Sequence, residues 1–214
     1  MKKILIHCAL ILVILFLGYK LWDSIMQPIR FQKQQEWRQA NCVQSLKNIR
    51  DAQVAYKSVT GTYTGNFDTL EDFIKNGKLK IVKAIGDIPD SFFNQYPRKV
   101  AEQKAIEAGI VKRDTISISC YDSLCKGKYD INSFRYVPCL GEKIPFEMAM
   151  DTIETASKSK IPVFEAKVHN NVYLKGLDRQ EVVNMNDEAI TLDRYPGIKV
   201  GSLKEFNNNA GNWE

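Results

Sequence analysis

The sequence predicts an α+β protein in which a long N-terminal helix packs on a head built from an antiparallel β-sheet. Residues 4–22 form an apolar run, and the polar stretch that follows it has helical periodicity in its second half. Beyond residue 110, apolar and polar residues alternate between turns, which is the pattern of half-buried antiparallel strands. Helices in the first half of a chain and strands in the second half are typical of the α+β class.

The first element is an apolar run that is long enough to cross a membrane. Residues 4–19 carry no formal charge, and the run extends to Trp22 if the Lys20 side chain reaches the lipid headgroups. Its length of about 19 residues, or ~28 Å as a helix, matches the hydrocarbon core of a bilayer. The alternative is a cleaved signal peptide, but only bulky or charged residues stand where cleavage would need small ones. We therefore predict an uncleaved transmembrane signal anchor over residues 1–22.

Two rules give opposite orientations for this anchor. A short basic segment before an apolar run is the usual layout of a signal anchor with an exported body, and long domains cross largely regardless of charge. A count of nearby basic residues favours the reverse orientation, because more of them follow the run than precede it: Lys20, Arg30, Lys33 and Arg38. We give more weight to the signal-anchor layout of a short basic segment before an apolar run. It predicts a single-pass protein of the inner (cytoplasmic) membrane with a periplasmic, extracytoplasmic body.

Residues 23–60 are predicted to form an amphipathic stalk helix. One helical face carries apolar residues at three- and four-residue spacing: Cys42, Val43, Leu46, Ile49 and Tyr56. Gln53 is the polar exception on this face. Because the apolar face begins only at Cys42, the polar start of the segment is expected to stand away from the head. Pro28 lacks a backbone donor, so the helix is expected to kink or restart there.

Residues 61–214 are predicted to form one α+β head that begins with helices. Residues 68–71 match a capping box, Asp-Thr-Leu-Glu, which would start a short helix. A second helix is predicted at residues 99–108, ending at Gly109.

The rest of the head is predicted to be mainly strands. These are expected at residues 79–85, 114–120, 133–139, 145–150 and 161–168. Residues 171–185 fit either a hairpin or a helix, and both alternatives stay open. Residues 207–214 are predicted to be a polar tail with a single aromatic residue, Trp213.

Composition argues against several classes of function. The net charge of +5 is spread along the chain, so no nucleic-acid-binding face is predicted. Glycine-rich phosphate loops, serine nucleophile elbows and metal-binding histidine pairs are missing from the sequence. We therefore predict no catalytic, cofactor-binding or metal-binding residue, no small-molecule substrate and no enzymatic activity. An exported thiol enzyme that uses Cys125 with His169 is kept as an alternative to the two hypotheses given below.

Three of the five cysteines lie in the body: Cys120, Cys125 and Cys139. In an oxidising compartment two of them could form a disulfide, and their spacing leaves the pairing open. Free, buried thiols are the other interpretation. His7 lies in the apolar run near its basic end, and we interpret it as a neutral residue that reaches the headgroups.

Residues 46–63 resemble the end of the long helix in type IV pilins and type II secretion pseudopilins, with the sequence Leu-Lys-Asn-Ile-Arg-Asp-Ala-Gln-Val-Ala-Tyr-Lys-Ser-Val-Thr-Gly-Thr-Tyr. The resemblance implies a membrane helix that continues into an amphipathic half, ends in a glycine-tyrosine loop and packs on an antiparallel sheet. The chain also resembles uncharacterised single-pass membrane proteins of the Bacteroidota, through the stretches at residues 113–116, 162–168, 195–203 and 207–214. The pilin peptidase site and the glutamate early in the pilin helix have no counterpart here, so the resemblance does not extend to prepilin processing.

These features lead to two hypotheses for function. The first is a non-enzymatic structural or assembly protein of the cell envelope, pilin- or pseudopilin-like. Its N-terminal helix would lie in the lipid bilayer and associate with copies of itself or with other envelope proteins. The second is a monomeric, membrane-tethered binding module that meets an extracytoplasmic partner through its strand edges or its Asn-rich tail.

Overall fold

The protein is an α+β fold with a long N-terminal helix and small antiparallel sheets, as predicted. The computed structural model describes residues 2–85, 89, 93, 96–110, 112–126, 128–154 and 158–214. The helices are α1 (Lys2–Thr60), α2 (Phe67–Asn76), α3 (Arg98–Glu107), α4 (Cys120–Leu124), α5 (Asn170–Tyr173) and α6 (Arg179–Thr191). The strands are β1 (Lys78–Ile85), β2 (Lys112–Ser119), β3 (Glu147–Glu154), β4 (Lys160–His169) and β5 (Gly197–Gly201).

The chain divides into two compact units where the sequence predicted one head. The first unit comprises Met1–Arg50 and Asn132–Glu214, and the second comprises Asp51–Ile131. The predicted head of residues 61–214 is therefore shared between the two units. Helix α1 contributes residues to both.

Helix α1 is a single element of 59 residues with Pro28 inside it. The predicted restart at Pro28 is therefore not observed. Proline removes only one backbone donor, the N–H that would bond to the carbonyl of Ser24. Both residues are exposed, so that carbonyl can find another partner outside the helix.

The first unit contains a three-stranded antiparallel sheet in the order β3-β4-β5. Ala166 of β4 lies opposite Met148 of β3 and opposite Val200 of β5. Phe164, Ala166 and Val200 are fully buried. Three residues of the predicted apolar face of α1 are buried in the same unit at 0% exposure: Cys42, Leu46 and Ile49. Tyr56, on the same predicted face, is half-buried and belongs to the second unit.

The prediction that the polar start of this helix stands away from the head is wrong. Phe31 is buried, and the Gln27 Nε2 atom donates a hydrogen bond to the Asp178 carboxylate of the first unit. Phe31 lies eleven residues before Cys42, about three helical turns, so it belongs to the same face. The sequence pattern does not reveal this continuation because the positions between Phe31 and Cys42, such as Arg38, are polar.

Arg38 explains how a polar residue can lie on the packed face of α1. Its Nη1 atom donates hydrogen bonds to the carbonyl oxygens of Tyr173, at 3.1 Å, and of Lys175, at 2.8 Å. A guanidinium is tolerated against packed backbone when its donors find acceptors in this way.

The structure decides two local predictions in the first unit. Residues 133–139 are turns rather than a strand, with one isolated bridge between Tyr136 and Pro145. Extended pairing stops there because Pro138 has no donor and Cys139 has a left-handed φ of 66°. Residues 171–185, which fitted a hairpin or a helix, form no hairpin: residues 171–173 belong to α5, residues 179–185 belong to α6, and turns join the two helices.

Strand β5 was not predicted, and its glycines explain why. Gly201 has a φ of 74°, and a Cβ at this position would lie 2.2 Å from the carbonyl oxygen of Phe164. Glycine is therefore required for β5 to approach β4 so closely. Such a segment has low strand propensity, so its pairing is visible only in the fold.

The second unit contains α2 and a hairpin of β1 and β2, with Lys78 opposite Ser119. Helix α2 begins earlier than predicted: Asn66, and not Asp68, is the N-cap, and its side chain accepts a hydrogen bond from the Asp68 N–H at 2.8 Å. Gln53, the polar exception of α1, is fully buried. Its Nε2 atom donates to the Thr64 carbonyl, and its Oε1 atom accepts from the Thr64 N–H, which joins α1 to the following loop.

Candidate functional site

Residues 10–22 of α1 are mainly apolar, and their side chains are exposed. Leu10, Leu15 and Trp22 are 57%, 64% and 62% exposed, and the apolar residues between them are similarly accessible. By length and composition, α1 is the one helix among the described residues that could cross a membrane. A core helix of a soluble protein would bury most of this surface, and this one buries none of it. The segment is therefore compatible with a transmembrane helix or a signal anchor.

A groove of about 730 Å³ opens in the first unit between α1, α6, β5 and the C-terminal residues. Gln35 and Gln39 of α1 line one side of it, and Glu188 of α6 and Trp213 are among the other lining residues. No sequence motif predicts a site here, because these residues come from distant parts of the chain.

Residues 207–214 are not a free tail, and the last three of them line this groove. Gly211 forms a bridge with Val200 of β5. Asn212 receives a hydrogen bond from the Lys199 N–H at 3.0 Å and donates one to the Gly197 carbonyl at 2.9 Å. These contacts fix the last residues along the edge of the sheet.

An ion pair holds the end of this segment to α1. The Arg50 Nη1 atom lies 2.7 Å from the Glu214 Oε1 atom and also donates to the Asn209 carbonyl at 3.4 Å. The hydrogen bond from Arg50 lowers the pKa of the Glu214 carboxyl. Glu214 is therefore ionised and paired at neutral pH.

Two half-buried aromatic side chains line the groove. The Trp213 indole packs on Gly211, where a Cβ would lie 2.4 Å from the indole Cζ2 atom. Its Nε1–H is buried and has no acceptor within the part of the chain that the structure describes. Burial, with Glu147 and Glu165 nearby, raises the pKa of Tyr195 to about 12, so its hydroxyl stays protonated at neutral pH.

Several polar side chains that line the groove are not used by the fold. Five of them make no side-chain hydrogen bond or ion pair to any residue that the structure describes: Gln35, Gln39, Glu188, Asp193 and Arg194. Lys199 also lines the groove and lies 3.8 Å from the Glu165 carboxylate. Amides, carboxylates and a guanidinium thus face the groove together, with the opposite charges nearly balanced.

The predicted disulfide residues are free thiols in the structure. Cys120 and Cys125 are buried in the second unit, and Cys139 is half-buried in the first. Cys42, which was assigned to the packed face of α1, is also a free, buried thiol. The disulfide among Cys120, Cys125 and Cys139 stays a prediction.

The surroundings of Cys125 and His169 test the alternative of a thiol enzyme. Burial raises the pKa of the Cys125 thiol, although a hydrogen bond with Tyr129 opposes the rise. A nucleophilic cysteine needs the opposite shift. His169 caps α5, with its Nδ1 atom accepting from the Asn171 N–H at 3.1 Å. Neither arrangement supports nucleophilic catalysis.

Alkylation of the native protein with iodoacetamide at pH 8 is expected to modify Cys139 well before Cys42, Cys120 and Cys125. Those three thiols are at most 1% exposed. Burial also raises the pKa of Cys42 to about 12, so the reactive thiolate is scarce there until the pH approaches that value. Mass spectrometry of peptides would measure the order of modification, with urea-unfolded protein as the control. Equal rates at Cys42 and Cys139 in native protein would contradict this arrangement.

Comparison of the chain with protein-family models, curated proteins and solved structures finds no match. The function must therefore be argued from the chain's own helix, units and groove.

Proposed function

We propose that this protein is a membrane-anchored, non-enzymatic structural or assembly protein of the cell envelope that associates with copies of itself or with other envelope proteins through α1. The observation that carries the proposal is the continuity of α1, which is one helix of 59 residues. Its first part exposes apolar side chains, and one face of its later part is buried in the first unit through Cys42, Leu46 and Ile49. A single rigid element would therefore join the bilayer to the folded body.

The position of the first contacts between α1 and the body supports this proposal. Gln27 donates a hydrogen bond to Asp178 of the first unit, and Phe31 is buried in that unit. Gln27 and Phe31 lie only about 5 to 9 residues after Trp22, or roughly 8 to 14 Å along a helix. If the apolar segment lies in a bilayer, the body lies at its surface without a flexible linker. Association of helices in the membrane would then also set the arrangement of the bodies.

The architecture also fits what the pilin resemblance implies. A long helix has an apolar first part and a packed later part, and the first unit contains an antiparallel sheet. We extend the proposal accordingly to a pilin- or pseudopilin-like subunit of the inner membrane with a periplasmic body. Helix packing within the lipid would supply the affinity between copies.

Photocrosslinking in membranes tests association through α1. A benzophenone amino acid in place of Ile14 or Trp37, which are 58% and 60% exposed, is expected to give crosslinked dimers and larger species after irradiation. The same amino acid in place of Ile190 is the control, because Ile190 is 63% exposed but lies on α6. Monomer alone from both α1 positions, at normal expression levels, would contradict the proposal.

The groove favours a second candidate function, a monomeric membrane-tethered binding module. Gln35 and Gln39 are partly buried, and polar groups that lose part of their contact with water are usually paired within the protein. Here Gln35, Gln39 and Arg194 line the groove without such partners among the described residues. Monomer in the crosslinking experiment, together with ligand binding in the groove, would favour this function over the first.

A further inference from the structure

We propose that the groove lined by Gln35, Gln39, Arg194, Tyr195 and Trp213 is a binding site for a hydroxyl-rich glycan chain. The inference deepens the second candidate function, the tethered binding module, and it does not depend on assembly through α1. All the residues that line this groove belong to the first unit.

The unengaged polar groups of the groove suit sugar hydroxyls. Each hydroxyl donates one hydrogen bond and accepts others, so its partners must include both donors and acceptors. Gln35 and Gln39 offer both on each amide, Glu188 offers acceptors and Arg194 offers donors. These side chains make no other hydrogen bond in the described part of the chain, so a ligand would not have to break existing pairs.

The aromatic residues suit the apolar faces of sugar rings. Trp213 and Tyr195 are half-buried at the groove, and packing on Gly211 holds the indole in place. Rigid aromatic side chains give large contact areas at little cost in conformational entropy. The buried Trp213 Nε1–H, which has no acceptor among the described residues, is a further donor that an acceptor on the ligand could satisfy after a small shift of the ring.

The charges of the groove argue against polyanions. Glu188 and Asp193 outnumber Arg194, because Lys199 lies 3.8 Å from the Glu165 carboxylate and Glu214 is paired with Arg50. Nucleic acids and polyphosphates are recognised by a clear excess of positive charge, which this groove lacks. A neutral or zwitterionic ligand is therefore favoured.

The backbone of β5 argues against an extended peptide as the ligand. Peptides commonly bind by adding a strand to an exposed sheet edge. The edge of β5 at this groove is occupied by Gly211, which bridges to Val200, and by Asn212, which bonds to Gly197 and Lys199. Side chains, rather than free backbone groups, are left to recognise a ligand.

Titration calorimetry with the full chain in lipid nanodiscs tests this inference. The probes are a tetramer of N-acetylglucosamine and a tetramer of glucose, with tetra-alanine as the peptide comparison. Saturable binding of at least one glycan, and none of the peptide, is expected. Absence of binding for both glycans, or saturable binding of tetra-alanine alone, would overturn the inference.

Substitutions in the groove then test whether the glycan binds there. Gln39→Ala and Trp213→Ala are each expected to weaken glycan binding at least tenfold. Gln44→Ala is the matched control, since Gln44 is exposed on α1, does not line the groove and should leave the affinity unchanged. If Trp213→Ala disturbs the fold, Gln39→Ala still decides the result. Glycan binding that neither groove variant weakens would reject this site. The crosslinking experiment on α1 tests the first proposed function, and its result does not depend on glycan binding.

Discussion

Aspartate in place of both Leu12 and Leu15 is expected to move this protein from the membrane fraction to the soluble fraction. The two leucines are 67% and 64% exposed on the apolar part of α1. At the centre of a membrane helix, exchanging leucine for aspartate costs roughly 3 to 4 kcal/mol per site. Two exchanges therefore cost about 6 to 8 kcal/mol, which is enough to prevent stable insertion. Carbonate extraction followed by ultracentrifugation measures the distribution.

The matched control for this experiment is isoleucine at the same positions, Leu12 and Leu15. Isoleucine keeps the helix apolar and nearly the same size, so the control should stay in the membrane pellet. Membrane association of the aspartate variant equal to that of the control would show that another part of the chain holds the protein there. Release of the unaltered protein, cut within the apolar segment, would instead favour a cleaved signal peptide.

Leu46→Ala is expected to lower the free energy of unfolding of the first unit by about 2 to 5 kcal/mol. Leu46 is at 0% exposure on the face of α1 that lies in the core of that unit. The substitution removes three carbon atoms and leaves a cavity that the neighbouring side chains fill only in part. Urea titration of the full chain in detergent micelles, followed by circular dichroism, measures the change.

The control for Leu46→Ala is Ile190→Ala in the same unit. Ile190 is 63% exposed, so its truncation should change the unfolding free energy by no more than about 0.5 kcal/mol. The two units can unfold in separate transitions, and the comparison applies to the transition that Leu46→Ala shifts. Equal effects from the two substitutions would mean that α1 is not part of the core of the first unit.

The buried face of α1 shows how far periodicity alone can be followed. The spacing of Leu46 and Ile49 predicts that both lie on this face, and both are buried. Phe31 was missed, because polar residues interrupt the pattern before it. Arg38 lies on the packed side through hydrogen bonds to carbonyls more than a hundred positions further along the chain. A hydropathy pattern cannot reveal a polar residue that is buried by a distant partner.

The groove shows why a site built from distant segments cannot be predicted from the sequence. Arg50 and Glu214 hold one end of it together although they are 164 positions apart in the sequence. The segment at residues 207–214 is polar and rich in asparagine, so composition predicts a tail. Its attachment to β5 depends on Asn212 and on two glycines, Gly197 and Gly211, that have no strand pattern of their own.

By itself, the sequence determined the apolar N-terminal segment, the helical face around Leu46, the α+β class and most strands of the two sheets. These features depend on hydropathy and spacing between neighbours in the chain, which are local properties. Only the tertiary structure decided that α1 continues through Pro28, that the chain forms two units and that residues 212–214 line a groove with α1 and α6. The physical reason is that a polar side chain is buried, and two distant segments come into contact, only when partners elsewhere in the chain are in place. No local pattern contains those partners.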